Sequence, residues 1–160
     1  MNRKDYSKAC YEVTAYDGQE VATRTVTRQQ LAQIQEQNYD YFFSKTLGRW
    51  AYRNPDGQWI VHEHAVWPGI GETCIRVIQA VQLNPGEFQN PDDIAELTGF
   101  DTLRSHNALS ARLKAIREAH GESHRHPNFF LSRRGGGYGI AWNPLKTWCW
   151  VERIRPGAVD

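Results

Sequence analysis

The stretch "NPDDIAELTGFDTLRSHNALSARLKAIREAHG", Asn90 to Gly121, reads as two helices joined by a tight turn. Asn90 has a short side-chain acceptor suited to capping a helix, and Pro91 follows it at the first helical position. Asp92 and Asp93 put negative charge where a helix N-terminus favours it. Ile94, Ala95 and Leu97 form the apolar side of this short helix, and Gly99 ends it. Phe100-Asp101-Thr102 then makes a tight turn. A longer helix is expected from about Leu103 to His120, with Leu109, Leu113 and Ile116 as its buried seam and Gly121 as its stop.

The flanking segments complete a pattern. Upstream, Cys74, Ile75, Val77, Ile78 and Val81 fall at i, i+1, i+3, i+4 and i+7, which is one apolar stripe of a helix stopped by Asn84-Pro85-Gly86. Downstream, "FFLSRRGGGYGIAW", Phe129 to Trp142, places two arginines and three glycines between aromatic runs. It lacks GxxxxGK[ST], and no helix-opening GxGxxG is present, so a phosphate loop is disfavoured. A β-hairpin with a glycine tip fits better, because glycine takes positive φ without strain. Helix, short helix, turn, longer helix and hairpin is the order of a winged helix-turn-helix.

Ahead of this unit the chain reads as a small α+β module. "YEVTAY" and "EVATRTV" alternate around Asp17-Gly18, as in a hairpin. Thr27 and Gln30 suggest a capping box opening a thin helix with Leu31 and Ile34, ending near Asn38. Further strands follow, with Asn54-Pro55-Asp56-Gly57 as a second hairpin turn. Trp67-Pro68-Gly69 marks the internal boundary. The expected fold class is therefore α+β: an extension over residues 1–66, then a winged-helix domain with a C-terminal strand over residues 67–160.

The chain has 160 residues, 40% hydrophobic and 23% charged, which describes a soluble globular protein with a real core. No run approaches the length of a membrane helix, and the N-terminus is not a secretory signal. Cys10, Cys74 and Cys149 form no CxxC pair, which points to a reducing cytoplasm and away from a disulfide frame or zinc ribbon. Net charge is only +1, but its distribution is uneven. Residues 72–98 carry five acidic side chains and one basic; residues 101–134 carry seven basic, three acidic and four histidines. Such segregation suits a domain that meets a polyanion at one end.

At about 100° per residue, the side of the longer helix opposite Leu109 carries Arg104, Asn107, Ala111, Lys114 and Glu118, with Ala108 and Ser110 flanking. Arginine pairs bidentately with guanine and asparagine with adenine, so Arg104, Asn107 and Ser110 are the expected base readers. Lys114, Arg112 and Arg117 are expected on phosphates. Arg133 and Arg134 of the hairpin are expected along the backbone or in the adjacent minor groove.

The residues "VIQAVQLNPGEF", the short helix, the basic helix and "FFLSRRGGGYGI" together resemble the effector domain of OmpR/PhoB-type winged-helix regulators. The likeness spans residues 72–142. Ser132, Arg133, Arg134, Gly135, Gly136, Gly137, Tyr138 and Ile140 stand where that family carries its Arg-Gly-x-Gly-Tyr hairpin, and Gly139 replaces a basic residue. The resemblance implies sequence-specific binding of double-stranded DNA by a transcriptional regulator. The residues ahead of it are too few for a receiver domain, so none is expected there. The partner would be duplex DNA, with the extension serving a homodimer, a protein partner or a ligand. The alternative is a winged-helix module that docks a protein and leaves DNA alone.

Other constellations point less clearly to chemistry. His62 and His64 share a strand face, and His120, His124 and His126 cluster in sequence, yet neither HExxH nor a cysteine pair accompanies them. No metal or other cofactor is therefore expected. No nucleophile elbow or carboxylate pair nominates an enzyme. Trp50, Trp59, Trp142, Trp148 and Trp150, with Tyr52, Phe42 and Phe43, suit core packing better than a stacking platform for single-stranded bases.

Overall fold

The computed structural model describes residues 10–63 and 70–154, and His64 and the Trp67-Pro68-Gly69 boundary lie outside them. The fold is α+β, with a mixed six-stranded sheet, a separate two-stranded sheet and four α-helices. The chain divides into two units. The first holds residues 10–53, 59–63 and 147–154; the second holds 54–58 and 70–146.

In the first unit, β1 (Cys10–Tyr16) and β2 (Val21–Thr27) form the first hairpin. Asp17 turns it by accepting from the backbone N–H of Gln19 and Glu20, at 2.8 and 3.0 Å. The capping box forms, with Thr27 and Gln30 bonding each other's backbone. Helix α1 (Arg28–Leu31) nonetheless ends after one turn, and a 3₁₀ turn at Glu36–Asn38 takes the place of the expected longer helix. Only Leu31 of this helix packs on the core, and only in part, so a longer helix would gain too little burial to offset its ordering cost.

Strands β3 (Tyr41–Ser44), β4 (Arg49–Arg53) and β5 (Trp59–Glu63) form an antiparallel run. The final strand, β8 (Trp148–Arg153), enters this sheet between β1 and β3, antiparallel to the first and parallel to the second. The C-terminal strand therefore belongs with the N-terminal strands rather than with the residues just before it. Its partner positions explain this: Val13 faces Val151 and Phe42 faces Cys149, which seats its apolar residues beside theirs. Tyr11, Val13, Val26, Phe42, Cys149 and Val151 make one cluster of this core, lined by Leu31, Ile34, Tyr39 and Trp59. Burial pushes the Cys149 thiol up to about 12, so it is an inert packing group. Arg49 clamps the 3₁₀ turn with both Glu36 carboxylate oxygens, at 2.6 and 2.7 Å from its Nε.

The second unit contains α2 (Glu72–Gln82), α3 (Pro91–Thr98), a 3₁₀ turn at Asp101–Arg104, α4 (His106–Ala119), β6 (Phe130–Arg133) and β7 (Gly139–Trp142). Asn90 caps α3 through the Asp93 backbone N–H while the Asp93 side chain returns the bond, and Gly99 closes the helix at φ +77°. Ile94 and Ala95 are buried, whereas Leu97 is 49% exposed and does not join the core. Helix α2 packs on α3, α4 and β7. Leu109, Leu113 and Ile116 are buried on α4, and Phe129 stacks on Trp142 at 5.1 Å beneath the hairpin.

Candidate functional site

Helix α4 does not begin at Leu103. Ser105 adopts extended geometry and its Oγ accepts from the Ala108 N–H at 3.3 Å, so it caps the helix and leaves Leu103 and Arg104 in the preceding 3₁₀ turn. This changes the role open to Arg104. Its guanidinium donates to Glu96 at 2.8 Å and to Asp92 and Asp101 at 3.3 Å each. The hydrogen bonds it donates, to Glu96 first and then Asp92, raise its pKa further and keep it charged. Arg104 is thus committed to three carboxylates of α3 and the turn, although 41% of its side chain stays exposed.

Arg117 also departs from expectation. It is 7% exposed, and its Nη2 donates to the Phe130 carbonyl at 2.8 Å and to Ser132 Oγ at 3.3 Å. Its Nε lies 3.8 Å from Glu122. The Glu122 carboxylate is buried and accepts from the backbone N–H of Phe129 and Phe130, at 2.8 and 3.2 Å. Burial raises the Glu122 pKa, opposed by those backbone bonds and by Arg117, while burial lowers that of Arg117. The pair ties the end of α4 to the start of the hairpin. Arg117 is therefore a structural residue and is not on the surface.

The other candidates remain outward. Asn107, Ala111, Arg112, Lys114 and Glu118 are exposed on α4, with Ser110 half-buried. Arg112 interacts with Cys74 of α2, whose thiol is pushed up by burial and pulled down by that guanidinium. Lys114 makes no ion pair or hydrogen bond among the described residues.

Across from this face stands the hairpin. Gly136 and Gly137 turn its tip at φ +77° and +99°, and the Gly137 N–H donates to the Arg134 carbonyl at 3.2 Å. Gly139 opens β7 in a tight spot, where a Cβ would meet Phe88 at 3.3 Å and Arg133 Nε at 3.4 Å. The Arg133 guanidinium lies 4.9 Å from the centre of the Phe88 ring, a cation–π contact that holds it at the base of the tip. Arg134 occupies the tip itself and is exposed.

Tyr138 joins hairpin to helix. Its ring stacks on His106 at 4.2 Å, and it interacts with the Ser110 hydroxyl. Burial raises the phenol pKa, opposed by Ser110 and by the charges of Arg117 and Arg134. Neither His106, Tyr138 nor Phe88 stood out as a site residue from sequence alone, because nothing in the spacing announces a contact across 32 positions. Between α4 and the hairpin lies a cleft of about 610 Å³ lined by Lys114, Glu118, His124, Ser132, Arg134 and Tyr138, among others.

The described histidines do not assemble. His120 is fully buried, its Nδ1 2.7 Å from the Ile116 carbonyl and its ring edge-on to Phe130, while His124 and His126 are exposed. His62 stacks on Trp50 at 4.5 Å. Among the described residues no group of three or more histidines, cysteines or acids is placed to hold a metal ion. Trp50, Trp142 and Trp148 are fully buried, which makes them packing groups rather than a stacking platform. No helix among the described residues is long and apolar enough to cross a membrane.

Comparison with protein-family models, with curated proteins and with solved structures finds no match. The likeness to OmpR/PhoB-type effector domains rests on the motif residues alone.

Proposed function

We propose that residues 70–146 are a winged helix-turn-helix that binds double-stranded DNA, and that the protein is a transcriptional regulator. In this reading α3 supports, α4 enters the major groove and the β6–β7 hairpin is the wing. The observation that carries it is the partition of charge within the unit. Arg104 is neutralised by Asp92, Glu96 and Asp101, whereas Lys114 and Arg134 have no carboxylate partner among the described residues and border one cleft.

The 14 residues of α4 span about 21 Å, enough to cross a groove about 12 Å wide. Asn107 is the base reader this surface supports best, since its amide pairs bidentately with adenine and the neighbouring Ala111 lets the helix approach closely. Ser110 is engaged by Tyr138, and Arg104 by carboxylates, so both leave the list of readers. Lys114, Arg112 and Arg134 serve phosphates.

Binding to a random duplex, measured across salt concentrations, is expected to give a negative log–log slope that shrinks by about one unit in Arg134→Ala. Absence of duplex binding at low salt would overturn the reading. Exposed Leu97 favours the second reading, a protein-docking module. That reading requires a partner whose binding is lost in Leu97→Asp and insensitive to Arg134→Ala.

A further inference from the structure

The cleft between α4 and the hairpin has more structure than a backbone contact needs. Its volume, about 610 Å³, lies within the range of roughly 300–1,000 Å³ typical of small-molecule sites. Its charges sort into used and unused. Arg117 is matched by Glu122, and Arg133 is held over Phe88. Lys114 on the helix wall, Arg134 on the hairpin wall and His124 between them have no carboxylate partner among the described residues, and Glu118 is the one acid left to oppose them.

The hydroxyls point to the same ligand chemistry. Ser132 Oγ accepts from Arg117 at 3.3 Å, and Ser123 Oγ accepts from the His126 N–H at 3.2 Å. A hydroxyl that already accepts keeps its own O–H to give, so both are poised as donors into the cleft. Leu113 and Tyr138 supply apolar surface for an organic body. Cations from two walls, donor hydroxyls and an apolar side match a phosphate joined to a carbon skeleton.

We propose that this cleft is a binding site for a phosphate ester, with Lys114 and Arg134 clamping the phosphate and Ser123 and Ser132 donating to it. The ester can be the monoester of a free mononucleotide-sized molecule or a diester of one strand of a duplex, since both present anionic phosphate oxygens to the same cations and hydroxyls. The proposal does not require the DNA reading.

The test is titration of the full chain at low ionic strength with 5′-AMP, and in parallel with a short duplex, followed by calorimetry and by amide chemical shifts. Saturable binding is expected, with shifts at Lys114, Ser123, Ser132 and Arg134. Lys114→Ala and Arg134→Ala should each weaken it by about tenfold, the scale of one charge-assisted hydrogen bond. Glu118→Gln should tighten it by removing the opposing charge. These positions are exposed, and an unchanged melting curve checks that the variants fold.

Binding of 5′-AMP identifies a free ligand. Binding of the duplex alone, with Lys114 and Arg134 both required, identifies a strand phosphate. Retained 5′-AMP binding without duplex binding fails the DNA reading and leaves this site standing. Duplex binding that survives in the Lys114→Ala/Arg134→Ala double variant, with no 5′-AMP binding, overturns this site and leaves the DNA reading. Binding of neither ligand overturns both.

Discussion

The two ends of α4 use charge in opposite ways. Before its first turn, Arg104 sits in a nest of Asp92, Glu96 and Asp101, in the open and fully paired. Past its middle, Lys114 lines one cleft with Arg134, and neither has a carboxylate partner among the described residues. At the far end Arg117 is sealed under the hairpin with Glu122. Three cations close in sequence therefore have three fates: neutralised, available and buried. The difference teaches that a basic stretch keeps its cations available only where the fold withholds carboxylates.

The largest expected effect breaks the buried end. Glu122→Ala leaves Arg117 without its counter-charge and two backbone N–H groups without an acceptor. A loss of about 3–5 kcal/mol in denaturant unfolding is expected, the scale seen when one partner of a buried pair is removed. A loss below about 1 kcal/mol would show that the pair does not hold the hairpin to α4.

The next effect sharpens the available region. Lys114→Ala combined with Arg134→Ala should cut duplex affinity by roughly a hundredfold near 50 mM salt and flatten the salt slope by about two units. Stability should stay unchanged, because neither group is buried. Asn107→Ala should cost less overall but relax discrimination at one base pair, by about 1–3 kcal/mol, in a selection from a random duplex pool.

The paired end gives a contrasting expectation. Arg104→Ala should leave duplex affinity nearly as it was and change stability only slightly, since exposed ion pairs contribute little. A loss of affinity matching that of the Lys114 and Arg134 variants would erase the distinction between the two ends.

The smallest effect lies in the first unit. His62 stacks on Trp50 and Tyr52 with Nε2 buried and without a hydrogen-bond partner among the described residues, and burial holds its pKa below the usual 6.5. A depressed histidine pKa means the fold favours the neutral ring. Its contribution is full above the unfolded value near 6.5 and is lost as pH falls through the lower folded value. Thermal melts should show a modest decline on acidification below pH 6.5 that His62→Phe removes.

Much of the local structure was legible because it follows from short-range chemistry. The Asn90 cap, Pro91, the Gly99 stop, the Asp17-Gly18 hairpin and the Leu109-Leu113-Ile116 seam all depend on residues a few positions apart. The start of α4 was misread because Ser105 is also a capping residue, and a helical period alone runs past it. The place of β8 was hidden, since its partners Val13 and Phe42 lie more than a hundred positions away. The site was legible as a set of candidate cations but not as a choice among them. Only the fold brings Glu96 to Arg104, Glu122 to Arg117 and Tyr138 to His106, and those contacts decide which side chains remain free.

The central claim is that the outer face of α4 and the hairpin tip together meet duplex DNA. The most direct measurement is an amide chemical-shift map of the full chain during titration with a short duplex. The account predicts shifts concentrated at residues 106–114 and 133–138, with the Arg104 turn little changed. Shifts absent from both segments, or confined to the six-stranded sheet, would contradict it.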